Sequence, residues 1–412
     1  MILFFRHKIY LVAVIALLSM GDKSFAQSTY SDFISEDSME LKVEHALNLW
    51  NYYTRNCTDS LKVLSVDVAK ITHLSKTGVA ASQLCLGSYY VRGGELEVGI
   101  NYLKNARAIL AVEANMNLLS DVDNTLANAF NLLGNYRVAA KYYMLSLITG
   151  HRSPESTSSF NGLIGLGKVF CSVGDTLLGV RLISIYLAKS IYSNKFESAS
   201  NACAYLAVIV DQNEDSELAM AYLRRSLVYS RETNSVSHKA SAVNNRAILY
   251  FSEGKMDSSL VFFERALELR MKFGQKKSII ESYFNLGEYY LKIEDYNRSE
   301  EFLNKSLILA EENGFLPDHL DALVLLEQLY LLSNDIDESL KGVQLELKRV
   351  RGLINQNSEI DKSIYSIAMT FEEPVKELFE TKPKTLLNMK TVGAICLILL
   401  CLIFLKINKR LI

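Results

Sequence analysis

A forty-residue period runs through most of this chain, and it restricts the fold more than any other feature of the sequence. In blocks of forty starting at Gln83, the fifth place holds Gly87, Ala127, Gly167, Ala207, Ala247, Gly287 and Glu327. Twelve places later stand Gly99, Ala139, Gly179, Ala219, Ser259, Ser299 and Ser339. The residue before the first series is Leu86, Leu126, Leu166, Leu206, Arg246, Leu286 or Leu326, and three places after it come Tyr90, Phe130, Phe170, Val210, Tyr250, Tyr290 and Tyr330. Register kept from Gly87 to Glu327 without an insertion describes a repeat array rather than a string of independent domains.

Those places have the chemistry of two antiparallel helices per block. A small residue on each helix lets the axes approach, and an apolar or aromatic residue one turn away fills the adjacent groove. Gly94-Glu95, Gly134-Asn135, Gly174-Asp175, Gly254-Lys255 and Glu294-Asp295 fall between the two helices, where glycine suits a left-handed C-cap and a polar residue caps the next helix. Pro154 and Pro317 fall between blocks, where a helix has to end. No segment alternates with period two, so the expected fold is all-α, with essentially no strand. The repeats are expected over residues 40–359 as eight blocks. Leu47 and Asp59 in the small places suit an N-terminal cap, and Glu327 and Glu346 make the last block irregular.

The two ends read as membrane-directed. Arg6, His7 and Lys8 precede the apolar stretch Ile9 to Met20, and Ser24-Phe25-Ala26 offers a small-x-small cleavage site. Residues 1–26 therefore match a secretory signal peptide, the alternative being an uncleaved anchor. Val392 to Leu405 reads VGAICLILLCLIFL, with Lys390 and Lys406 at its borders and no polar face. All-round hydrophobicity means lipid or a deep core. Snorkelling lysines let the short run serve as a transmembrane helix over 390–407. Lys406, Lys409 and Arg410 favour a cytoplasmic tail, 408–412, although Lys382 and Lys384 on the other side weaken that asymmetry. The expected layout is a lead at 27–39, the exported solenoid, a juxtamembrane linker at 360–389, and one pass through a cell inner membrane with the repeats periplasmic.

Charge and motifs exclude several functions. Of 44 basic and 46 acidic residues, the two ends hold seven and one, so the exported part carries 37 against 45. That acidic balance disfavours nucleic acid and anionic lipid as ligands. Gly162 to Lys168 has the spacing of a phosphate-binding loop, but Val169 stands where a hydroxyl belongs, and Gly167 is a helix-packing residue with no strand before it. The six histidines are scattered, so neither a metal nor another cofactor is expected. Cys57, Cys85, Cys171 and Cys203 have no CxxC spacing, and Cys171 and Cys203 are offset by eight places in their blocks, roughly 12 Å along a helix axis. They read as buried apolar residues. No nucleophile signature appears, so no enzyme activity is expected.

The run Tyr283 to Tyr296, YFNLGEYYLKIEDY, continuing through Ser299, Leu303 and Ser306, resembles the tetratricopeptide repeat. Ala247 to Gly254, followed by Ser259, Phe263, Ala266 and Leu267, is similar. The usual repeat of that family is shorter, so this array resembles a long-helix variety. The resemblance implies a right-handed α-solenoid of about eight helix pairs, in addition to the transmembrane helix, that binds proteins or peptides along an inner groove. Carried onto this sequence, the groove places hold Asp121, Asn124, Asn128 and Asn131, then Asn161, Ile164 and Lys168. They continue with Asn201, Asp211 and Gln212, then Asn244 and Ile248, then Glu281, Phe284, Glu288 and Lys292. Amides both donate to and accept from an extended peptide, and Asn128, Asn161, Asn201 and Asn244 are expected to form a ladder. The alternatives are a merely solvated polar face, or docking on Phe371, Val375 and Phe379 beside the membrane. The family's carboxylate clamp is not reproduced. The layout resembles the sensor half of bacterial membrane regulators. Only seven residues follow Leu405, so that reading expects a partner to carry the output; the rival is an envelope-assembly scaffold without signalling.

Overall fold

The computed structural model describes residues 23–360, 362 and 364, apart from the short stretches 57–58, 72–74, 152–159, 213–214, 232–234, 274 and 334–337. The apolar stretch at 9–20, the juxtamembrane linker beyond residue 364 and the apolar run at 390–407 lie outside the described residues. Among the described residues there is no strand, and no helix is long and apolar enough to cross a membrane.

The chain is a solenoid of helix pairs. α1 (Lys23–Ser35) runs across Ala26 and precedes the pair α2 (Met39–Asn56) and α3 (Asp59–Ile71). Next come α4 (Lys76–Gly93) with α5 (Leu96–Glu113), α6 (Met116–Leu132) with α7 (Tyr136–His151), and α8 (Asn161–Ser172) with α9 (Thr176–Tyr192). They are followed by α10 (Phe196–Gln212) with α11 (Ser216–Ser230), and α12 (Val236–Ser252) with α13 (Met256–Phe273). The last pairs are α14 (Lys276–Lys292) with α15 (Tyr296–Glu312), and α16 (Leu316–Leu332) with α17 (Glu338–Gln356). From Lys76 onward four of the six steps between successive pairs are forty residues, and the steps of 45 to α8 and 35 to α10 restore the same register.

The caps follow from the residues between the helices. Gly94, Gly134, Gly174 and Gly254 hold φ between 66° and 93°, a region that costs a side chain dearly, and Glu294 occupies the equivalent place at 62°. Asn135, Asp175 and Asp295 then accept a hydrogen bond from the backbone N–H three residues on, at 3.1–3.2 Å.

Within a pair, the two small places touch across the helix interface. A Cβ on Gly179 would lie 2.6 Å from the Gly167 carbonyl oxygen, and one on Gly99 would lie 3.0 Å from that of Gly87. Where the second place is serine, its hydroxyl donates to that same carbonyl: Ser259 to Ala247 at 3.0 Å and Ser299 to Gly287 at 2.8 Å. Only glycine, alanine or a hydrogen-bonding serine fits there, which explains the sequence series. Aromatic pairs keep the same twelve-residue step, with Tyr90–Tyr102, Phe130–Tyr142 and Tyr290–Phe302 stacked at 5.5–5.7 Å. Such contacts add to the burial of the rings themselves.

The solenoid winds back onto itself. Ile280, Ala310 and Phe315 join one core with residues of α2 to α6, and Leu347, Val350 and Ile354 join another with α7 to α11. The N–H of Arg137 donates to the carbonyl of Asn357 at 2.8 Å, and a Cβ on Gly134 would lie 3.1 Å from Ile354 Cγ1. The first helices of successive pairs therefore surround a common interior.

Candidate functional site

The inner face is polar and largely engaged in internal bonds. On α6, Asn128 is exposed and accepts the Tyr143 hydroxyl at 2.7 Å, while Asn124 and Asn131 each hold a buried side-chain oxygen with no hydrogen-bond partner. On α8, Asn161 is half-buried and the Lys168 ammonium sits over the Tyr205 ring, 3.3 Å from its centre. On α10, Asn201 lies 3.2 Å from Nε2 of His238, and Asp211 accepts from Ser216. Gln212 ends the same helix, its side chain lying outside the described residues. Asn244 on α12 is buried, its Oδ1 accepting from Asn285 on α14 at 2.8 Å. Asn161 and Asn201 share one place in the forty-residue register, whereas Asn128 and Asn244 belong to two others.

Gly162 to Lys168, with the spacing of a phosphate loop, is helical in α8, and a Cβ on Gly167 would meet Ile183 at 2.7 Å. Its glycines serve packing. Cys85, Cys171 and Cys203 are free thiols, and burial pushes the Cys85 thiol up.

Closure of the superhelical turn brings together residues that lie far apart in sequence. The phenol of Tyr205 on α10 lies within electrostatic reach of Tyr143 on α7, Arg270 on α13 and Lys277 on α14. Asp211 acts in the same way on Glu288, which is pushed up by burial first and by that like charge second. Glu288 is accessible to solvent although protein surrounds it on most sides, as a channel-lining group must be.

A second charge cluster joins α13, α14 and α16, within electrostatic reach of Tyr136 on α7. The Lys277 ammonium donates to Asp318 Oδ1 at 2.6 Å and lies 3.7 Å from Glu281. Burial works against that ammonium, but the Asp318 and Glu281 carboxylates outweigh it and raise its affinity for the proton. Buried Arg270 donates to the Ser278 carbonyl and the Ser282 hydroxyl, with Glu281 at 3.4 Å. Asp321 is open to solvent, yet the protein around it pushes its carboxyl up to about 6, by desolvation first and then by Asp318, with Lys277 opposing. Ile280, Phe284, Asn285, Asp318 and Asp321 border a cavity of ≈ 70 Å³.

Sequence reasoning passed over Tyr205, Arg270, Lys277, Asp318 and Asp321. The period does carry a signal for one of them: Asp121, Asn161, Asn201, Ser241, Glu281 and Asp321 are a single register series, polar at every step. Tyr205, Arg270 and Lys277 stand out only once the turn closes.

The tetratricopeptide repeat family model matches residues 238–312, the span of α12 to α15. This chain carries tetratricopeptide repeats. Its repeats extend on both sides of that match in unbroken register. A Rap protein complexed with competence and sporulation factor shares the fold with a TM-score of 0.61 at 15% identity, over 84% of this chain and 97% of that one. NprR in complex with its cognate peptide NprX gives 0.57 at 12%, over 86% and 100%. The Rap conjugation gene regulator of plasmid pLS20 in complex with the Phr* peptide gives 0.54 at 15%, over 71% and 75%. At such identities these likenesses establish the fold alone. No curated protein matches the sequence.

Proposed function

We propose that this protein is a peptide-binding scaffold of the cell envelope, which holds an extended segment in the interior of its superhelical turn and transmits occupancy through a partner. The observation that carries the reading is the polar interior itself. Helices α6 to α16 surround it, and its charged groups, among them Asp211, Lys168, Glu288 and Asp321, keep contact with solvent while protein crowds them from several sides. A merely solvated face would have no reason to crowd like charges together, as Asp211 is with Glu288 and Asp318 with Asp321. Unpartnered oxygens on Asn124 and Asn131 are acceptors ready for backbone N–H groups. Three solved structures that share the fold are complexes with a peptide or factor, which supports the same mode here.

Export by residues 1–26 and anchoring by 390–407 belong to the proposal, on the strength of the sequence alone. Alkaline phosphatase fused after Thr381 is expected to be active and after Ile412 inactive; activity at Ile412 overturns the orientation. Peptide binding is tested by affinity selection of a random hexapeptide library on the full chain. Enrichment is expected to fall about tenfold or more in an Asn128→Ala, Lys168→Ala double variant, the loss of two polar contacts. It should survive Lys305→Ala, which lies outside the groove in an exposed pair with Glu301. Equal enrichment by all three proteins refutes the groove.

A further inference from the structure

Asp318 is 8% exposed, and its two carboxylate oxygens have different surroundings. Oδ1 receives the Lys277 ammonium at 2.6 Å, whereas Oδ2 is buried with no hydrogen-bond partner. A buried, unpaired carboxylate oxygen is costly, and natural structures rarely leave one without a reason. Asp318 lies in the first turn of α16, where the helix dipole favours an acid, yet none of the backbone N–H groups there reaches Oδ2. One turn along, Asp321 forms no hydrogen bond or ion pair with any described residue. Both carboxylates border the same cavity of ≈ 70 Å³.

The balance of charge around that cavity is one-sided. Glu281, Asp318 and Asp321 face Lys277 and Arg270, and the two cations are already held. Lys277 serves Asp318 Oδ1 and Glu281, and Arg270 serves Ser278, Ser282 and Glu281. What remains without a direct partner is Oδ2 of Asp318 and the carboxylate of Asp321, on which Lys277 acts only from a distance. The volume exceeds the roughly 10–15 Å³ that one water needs, and accommodates the end of a long side chain. Its other walls include Ile280 and Phe284. An aliphatic stem packs against the first, and the ring face of the second attracts a cation.

We propose that this cavity is a subsite for one cationic group, a guanidinium or primary ammonium, of the segment bound in the groove. Its occupant pairs with Asp321 and completes Asp318 Oδ2. The inference rests on the peptide-binding reading above and specifies its chemistry. The raised carboxyl of Asp321 agrees with it, because burial and the neighbouring Asp318 disfavour a second negative charge until a cation arrives.

The test uses the full chain and two hexapeptide libraries, one with free and one with acetylated amino termini. Wild type is expected to enrich peptides with arginine or lysine at one fixed position. Loss of that preference on acetylation would assign the ammonium to the peptide terminus, and persistence would assign the cation to a side chain; both support the subsite. Asp321→Asn is the diagnostic variant, since Asp321 holds no internal bond whose loss would unfold the protein. Its preference for arginine over isosteric citrulline should drop at least tenfold, the worth of a charge-assisted hydrogen bond, while neutral positions stay as selective as before. Enriched peptides with no cation preference overturn the subsite and leave the groove standing. An unchanged preference in Asp321→Asn also overturns it. No enrichment of any peptide overturns both readings.

Discussion

Gly167→Ala isolates the contact on which the whole repeat depends. Two effects oppose each other. In a helix interior, alanine in place of glycine normally stabilises by about 0.5–1 kcal/mol, because the unfolded chain loses freedom. At this site the new methyl would lie 2.7 Å from Ile183 Cγ1 and 2.9 Å from the Gly179 carbonyl oxygen, with the Ile183 backbone nitrogen at 3.3 Å. Comfortable carbon contacts begin near 3.5 Å. Two of the three neighbours are backbone, and Ile183 is fully buried, so relief requires α8 and α9 to move apart. Overpacking of this kind costs about 1–3 kcal/mol, here toward the upper end, which leaves a net loss of about 1–2 kcal/mol. Gly342→Ala is the matched control: it lies within α17, and nothing stands within 4 Å of the added carbon, so it should stabilise by about 0.5–1 kcal/mol. Urea titration followed by far-ultraviolet circular dichroism gives the sign of each change. Hydrogen exchange should localise the Gly167 effect to α7 to α10, because a repeat contacts chiefly its neighbours. Equal shifts in the same direction for both variants would refute the packing argument.

Further outcomes follow from individual contacts. Asp123 is fully buried beside Arg107 at 2.6 Å with its other oxygen unpartnered, and burial pushes its carboxyl up to about 6. A raised acid contributes stability that is complete below its unfolded value near 4 and is lost as pH rises through about 6, up to about 3 kcal/mol for two pH units. Asp123→Asn should remove that part of the slope in pH-dependent urea melts, with Arg107 retained over the Tyr142 ring. Ser299→Ala deletes the donor to the Gly287 carbonyl and should cost about 1 kcal/mol in the same melts. Lys277→Ala strands the buried Asp318 carboxylate and should cost about 1.5–3 kcal/mol, a loss that Asp318→Asn in the same chain should largely reverse.

Helix number, helix starts and the caps were legible because each depends on a few neighbouring residues. Gly174-Asp175 encodes a left-handed stop and a side-chain cap within two positions, and the structure uses both. The small series at Gly167 and Gly179 was equally readable, since a period of forty repeats the same steric demand. The interior was only half legible. Lys168 was assigned to the groove by register, but its partner Tyr205 was not, because their contact spans two blocks and depends on how far each pair rotates on the last. Asn244 was legible as an inner-face residue, whereas its burial against Asn285 follows from side chains of a neighbouring repeat. Serine pairs 26 residues apart, Ser120 with Ser146 and Ser200 with Ser226, were missed for a different reason. Serine is common on exposed helices, and only the observed hydroxyl-to-carbonyl bonds of 2.8–2.9 Å mark these as interface residues.

The same small places that make the repeat legible also set the geometry of the groove. The separation of the two helices in a pair is fixed by what stands between the carbonyl of the first small residue and the second small residue: nothing at Gly87 and Gly99, a hydroxyl at Gly287 and Ser299. The pairs follow one another until α16 and α17 return to α7. There the bond from Arg137 to the Asn357 carbonyl and the Gly134–Ile354 contact close the turn. The electrostatic meeting of Tyr136 with Asp318, Asp321 and Lys277 exists only in the closed turn, because these residues lie at least 140 positions apart in sequence. One methyl at Gly287, where a Cβ would meet Leu303 at 2.6 Å, would push apart α14 and α15, both of which wall the cavity beside Asp321. Site and scaffold in this protein are two readings of one set of interhelical distances.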